Sequence, residues 1–191
     1  MCLLSVQTGR VQPLRVGGRT VLSAIGKRPV EGPVAVGPLG LEGDEQADPD
    51  VHGGLDKAVY AYPSEHLPFW HALRRERGAS LFDEALPPGF MGENLSIEGL
   101  LEHDVWIGDE LHFAHCVLRV SAPREPCFKF TTTMGLPDAG RVMMERLCCG
   151  WYLRVAQAGQ IVAGETIRLV PGLRGLRVSE AFAAKRIKHL R

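Results

Sequence analysis

The chain has 191 residues, room for one domain with a real core and too little for two. Hydrophobic residues make up 45% of it, enough to fill that core, and 22 Lys and Arg balance 22 Asp and Glu, so the formal net charge is zero. That balance excludes the broadly basic surface that nucleic-acid binding needs, while leaving room for a pocket with a few cations.

The first segment, Met1-Cys2-Leu3-Leu4-Ser5-Val6, is apolar but short. It lacks the charged start and small-residue cleavage site of a signal peptide. No window approaches the roughly 18 uninterrupted apolar residues of a membrane span, so no membrane partner is expected. Residues 37–57 are rich in Gly, Asp and Pro and read as a long functional loop. Its acids, Glu42, Asp44, Glu45, Asp48 and Asp50, do not follow EF-hand spacing. A strand is predicted over 58–62, stopped by Pro63, then a helix from Ser64 as cap to about Arg77, with Pro68 in its first turn. Leu67, Trp70 and Leu73 give that helix its apolar face. Residues 104–107 and 110–113 flank Gly108-Asp109 and predict a hairpin. Further strands are predicted over 117–121, 151–156 and 166–170. Helices are predicted over 138–147, with Val142, Met143 and Leu147 inward, and from Ser179 into a basic, solvated tail over 185–191. Short strands at this spacing give a mainly β fold with a few helices (α+β), a barrel or sandwich.

Five cysteines, at 2, 116, 127, 148 and 149, are odd in number and contain no Cys-x-x-Cys pair. They fit a reducing cytoplasm better than a disulfide framework or a structural zinc site. Cys148-Cys149 reads as two small buried residues at a helix end. Cys127 lies in Pro123-Arg124-Glu125-Pro126-Cys127-Phe128-Lys129, where two prolines stiffen the backbone and two cations flank the thiol. Such cations favour the thiolate, the form that attacks or binds a soft metal; the alternative is a buried structural cysteine. In His52-Gly53-Gly54-Leu55-Asp56-Lys57 the paired glycines let backbone approach an anion and Lys57 supplies a point charge, or the segment is simply a tight turn into a strand. In Gly92-Glu93-Asn94-Leu95 the Asn94 amide can orient a polar ring or an oxo group, or form an Asx turn.

Taken together and in order, six segments resemble the MOSC family, the molybdenum cofactor sulfurase C-terminal domain, closest to its stand-alone YiiM-like branch. They are residues 40–46; 51–63 with Val51-His52-Gly53-Gly54, Asp56-Lys57-Ala58-Val59 and Tyr62-Pro63; 92–95; Val105-Trp106-Ile107-Gly108-Asp109; the Ser-x-Pro-Arg-x-Pro-Cys-x-Lys run at 121–129; and Gly150-Trp151-Tyr152-Leu153-Arg154-Val155. The resemblance implies a MOSC-type β-barrel over 1–175 and a short helical tail over 176–191, the remnant of a three-helix C-terminal extension. It implies that Cys127 is the hallmark cysteine, ligating molybdenum or carrying sulfur. It implies a molybdenum cofactor (molybdopterin) with Arg124, Lys57 and Lys129 on its phosphate, Gly53, Gly54 and Glu93 beside it, and Asn94 and His52 positioning substrate. Pyridoxal phosphate is associated with the family but not expected to bind directly. The implied activity is reduction of N-hydroxylated bases such as 6-N-hydroxylaminopurine, with electrons from a flavoprotein. Two alternatives stand: a persulfide carrier fed by a cysteine desulfurase, and a non-catalytic module for a phosphorylated ligand. Ala122 departs from the Gln frequent at that place, so support for the cysteine loop is expected from elsewhere.

Overall fold

A computed structural model describes residues 1–49, 53–80 and 85–189, apart from the side chains of 186–189. The fold is sheet-dominated α+β. The N-terminal segment is a core strand, β1 (Cys2–Thr8), with Leu3 and Val6 fully buried. It is followed by the hairpin β2 (Gln12–Val16) and β3 (Arg19–Ser23), closed by Gly17-Gly18, both at positive φ, as a two-residue turn requires. Short strands β4 (Arg28–Pro29), β5 (Val34–Gly37) and β6 (Gly40–Leu41) come next.

Then follow β7 (Val59–Pro63), β8 (Leu95–Glu98), β9 (Glu110–His112), β10 (Val117–Pro123), β11 (Trp151–Gln157), β12 (Gly159–Ile161) and β13 (Arg168–Val170). Eight strands form one sheet in the order β13-β9-β10-β11-β7-β8-β1-β4, antiparallel except for β7 against β8. Every residue of β7 is buried, as befits a central strand covered on both faces. The sheet curls until its ends approach. Leu3 N–H donates to the Glu165 carbonyl (2.9 Å) and Ile167 N–H to that of Met1 (3.0 Å), around an isolated Cys2–Thr166 bridge. The result is barrel-like, stitched by a few bonds in place of a closing ladder.

The helices are α1 (Leu67–Glu76), α2 (Phe128–Met134), α3 (Ala139–Arg146) and α4 (Val178–His189). Among the described residues none is long and apolar enough to cross a membrane. Trp70 and Leu73 bury the inner face of α1, and Trp70 Nε1 donates to the Tyr62 hydroxyl (2.8 Å). Ser64 does not cap this helix by its side chain; it opens a 3-10 turn, Ser64–His66, that leads into it.

Three expectations are corrected. Residues 104–107 do not pair with 110–113: β9 pairs instead with β10 and β13. Asp109 is the cause, because its carboxylate is fully buried and accepts from the N–H of Trp106 (3.1 Å) and of Gly172 (2.7 Å), folding the turn inward. Helix α2 was unforeseen in a run containing three consecutive threonines; each hydroxyl donates to the carbonyl four residues back, in Cys127, Phe128 and Lys129, and Gly135 ends the helix at φ 70°. Helix α4 buries Val178 and Phe182 and packs on β10, and Lys185, where the expected solvated tail begins, pairs with Glu125.

Candidate functional site

At the end of β10 the chain passes through Arg124-Glu125-Pro126 to Cys127, which stands just before the first turn of α2 with extended backbone (φ −128°, ψ 166°). The Cys127 thiol is half-buried. Arg124, 5% exposed, directs Nη2 to within 3.8 Å of the sulfur while Nη1 donates to the Glu125 carbonyl (3.1 Å). Its guanidinium also lies 5.5 Å from the Tyr60 ring centroid and 5.4 Å from that of Phe130. Burial works against its charge, but Tyr60, Tyr152 and Cys127 favour it, and the balance raises its affinity for the proton. Support for the cysteine loop thus comes from this buried arginine and from the Glu125–Lys185 pair to α4.

Lys57 closes the turn before β7 and lies 5.7 Å from the Tyr152 ring centroid. Burial pushes the phenols of Tyr60 and Tyr152 up, with Arg124 opposing it, so both stay protonated and neutral. Cys127, Arg124, Lys57, Lys129, Tyr60 and Tyr152 line an open cleft of about 600 Å3, counting the solvent at its mouth. A second wall comes from residues 23–25, Lys27 and residues 44–48. There Asp44 and Lys27 form an ion pair with side chains only 4% and 7% exposed. Asp44 also accepts from Gly9 N–H (2.8 Å) and the Asn94 amide (2.9 Å).

The expected site residues divide accordingly. Cys127, Arg124, Lys57, Lys129 and Asn94 come together at one cleft. Asn94, however, has its amide committed: Nδ2 donates to Gln7 O (3.2 Å) and to Asp44, and Oδ1 accepts from Tyr60 N–H (3.1 Å). Glu93 is fully buried and does not line the cleft; it accepts from Gly89 N–H (2.7 Å), Met91 N–H (3.0 Å) and the Ser96 hydroxyl (2.8 Å). Neither Gly53 nor Gly54 lines the cleft: Gly53 packs beneath the second wall, where a Cβ would fall 2.1 Å from Gln46 Oε1, and Gly54, at φ 81°, would present a Cβ to open space. His52 lies outside the described residues. Sequence reasoning missed Lys27 as a site residue, since Gly26-Lys27-Arg28-Pro29 looks like an ordinary exposed turn, and it took Asp44 for one acid among several in a loop.

Residues 48–168 match the family model of the MOSC domain. The chain belongs to the MOSC domain family. YiiM of Escherichia coli strain K12 is 38% identical to this MOSC protein over 180 residues, 94% of this chain and 77% of that one. The crystal structure of YiiM from Geobacillus stearothermophilus superposes with a TM-score of 0.76 at 31% identity, covering 100% of this chain and 86% of that one. A longer Gibberella moniliformis protein named "Reductase" is 37% identical over 169 residues, 88% of this chain but 29% of its own length.

Within this MOSC domain the other thiols are set apart from Cys127. Cys116, Cys148 and Cys149 are buried, and burial, aided by nearby carboxylates, pushes Cys116 and Cys148 up to about 12 and Cys149 well above the usual thiol range. Buried thiols of this kind are inert packing groups. Among the described residues no group of three His, Cys, Asp or Glu side chains is placed to hold a metal ion.

Proposed function

We propose that this cleft holds a molybdenum cofactor with Cys127 as its protein thiolate ligand, and that the protein reduces N-hydroxylated bases or related N-oxygenated compounds. The observation that carries the reading is the Cys127 sulfur 3.8 Å from a buried guanidinium, in a cleft that Lys57 and Lys129 also line. The donor set fits the group. A soft thiolate suits molybdenum, and a metal that arrives in its own organic ligand needs little more from the chain. Two ammonium groups at an open mouth suit a phosphate. When bound, the cofactor supplies the two-electron chemistry that removes oxygen from nitrogen, with electrons replaced by a flavoprotein partner. The chain's own residues bind and orient. Arg124 holds its charge beside the sulfur and favours the ionised thiol. Tyr60 and Tyr152 wall off one side of the cleft, and Lys57 and Lys129 take the phosphate. The name of the fungal relative supports a reductase over a carrier.

The test is metal and pterin analysis of protein purified from a host that makes the cofactor. Near-stoichiometric molybdenum is expected in the wild type. Cys127→Ala is expected to lose at least ten-fold in both molybdenum content and reduction of 6-N-hydroxylaminopurine, with an unchanged far-UV circular dichroism spectrum. Equal molybdenum in both proteins would overturn the assignment. A gain of one sulfur atom on Cys127 without molybdenum would point to the persulfide carrier.

A further inference from the structure

Lys27 is an unusual cleft residue. Its side chain is 7% exposed, yet it lines the cleft, and its ammonium has one hydrogen-bond partner among the described residues, Asp44. An ammonium carries three donors, and among the described residues Asp44 takes one, leaving two for an acceptor in the cleft. A largely buried ammonium in a cleft wall is held ready for an acceptor, and a few placed polar groups of this kind give a pocket its specificity.

The surroundings hold this group still. Asp44 is fixed by Gly9 N–H and by the Asn94 amide. The backbone of residues 25–27 is seated on the glycine turn 89–92: a Cβ at Gly89 would fall 2.6 Å from Lys27 O, and one at Gly92 would fall 2.8 Å from Ile25 Cγ1. Glu93 secures that turn through Gly89 N–H and Met91 N–H. Neighbouring residues Glu93 and Asn94 therefore brace Lys27 from two sides, one through backbone and one through its counter-ion.

We infer that Lys27 is a ligand-binding residue, whose ammonium donates to the oxygen that distinguishes an N-hydroxylated compound from its parent amine. This deepens the proposed function and rests on it. A compact acceptor satisfies the unspent donors. The amine lacks that acceptor and leaves them unpaired, so the cleft discriminates for substrate and against product.

The experiment is calorimetric titration of cofactor-loaded protein with 6-N-hydroxylaminopurine and, separately, with adenine. The wild type is expected to prefer the hydroxylamino base by about ten-fold or more, the effect of one charge-assisted hydrogen bond. In Lys27→Met the ratio is expected to fall to about one. Should that variant fail to fold, Lys27→Met combined with Asp44→Asn leaves no lone buried charge and is expected to give the same ratio. A preference retained in the folded variants would overturn the role of Lys27 while leaving the cleft's substrate class intact. A wild type that binds neither base would overturn both.

Discussion

Cys127 differs from the buried thiols in its surroundings. It opens on the cleft beside Arg124, whereas Cys116, Cys148 and Cys149 sit where burial holds the proton on sulfur. In a Cys2→Ser background at pH 8, iodoacetamide is therefore expected to label Cys127 at least about ten-fold faster than the other three, which react only after unfolding. Peptide mass mapping reads this directly, and early label on Cys148 or Cys149 would contradict the structure. Cys127, Arg124, Lys57 and Lys129 were legible in the sequence because prolines, cations and a glycine-paired turn mark them locally. Lys27 was not, because its meaning lies in an ion pair across 17 residues of chain and in burial that a basic turn does not advertise. Glu93 shows the reverse: its motif was visible, but only the fold reveals that its carboxylate turns inward to three donors.

At the scale of elements, the turn 89–92 is held by that single carboxylate. Burial pushes the Glu93 carboxyl up, and the bonds from Gly89, Ser96 and Met91 pull part of the way back. Glu93→Ala leaves three buried donors unpaired, each costing about 1–3 kcal/mol, while relieving the cost of a buried carboxylate. The net expectation is a loss of about 2 kcal/mol or more by urea denaturation, and a loss under about 0.5 kcal/mol would contradict the buttress. Strands β7, β10 and β11 were readable from apolar runs bounded by Pro and Gly. Strands β4 and β6 span two residues each, too short for any alternation to register, and they exist because β1 and β5 offer them edges. Helix α2 was hidden by Thr131-Thr132-Thr133, a β-branched run that favours strand until its hydroxyls are taken up by the preceding carbonyls. The turn 104–110 failed as a hairpin because a buried aspartate outweighed a Gly-Asp turn signal.

For the whole molecule, burial of proton-bearing groups in several parts of the core sets an alkaline limit. Cys116 lies just ahead of β10, Cys148 and Cys149 lead into β11, and Tyr60 and Tyr62 lie along β7. In the unfolded chain these thiols ionise near 9.0 and these phenols near 10.0. In the fold, desolvation by burial raises all five, Cys116 and Cys148 to about 12. A raised folded value means that stability is fully present below the unfolded pKa and is lost as pH climbs toward the folded one. Between about pH 9 and 12 Cys116 and Cys148 each remove about 1.4 kcal/mol per pH unit, Cys149 adds to the loss above about pH 9, and the phenols add to it only above about pH 10. The urea midpoint, measured with reductant present, is expected to stay flat from pH 7 to about 8.5 and to fall progressively above 9. Cys116→Ala combined with Cys148→Ala is expected to flatten that fall by two groups' worth, at the cost of a lower midpoint at pH 7 from two small cavities. A wild-type midpoint unchanged up to pH 11 would mean that these thiols and phenols reach solvent in the native barrel, and with it the separation of one cleft cysteine from an inert core would fail.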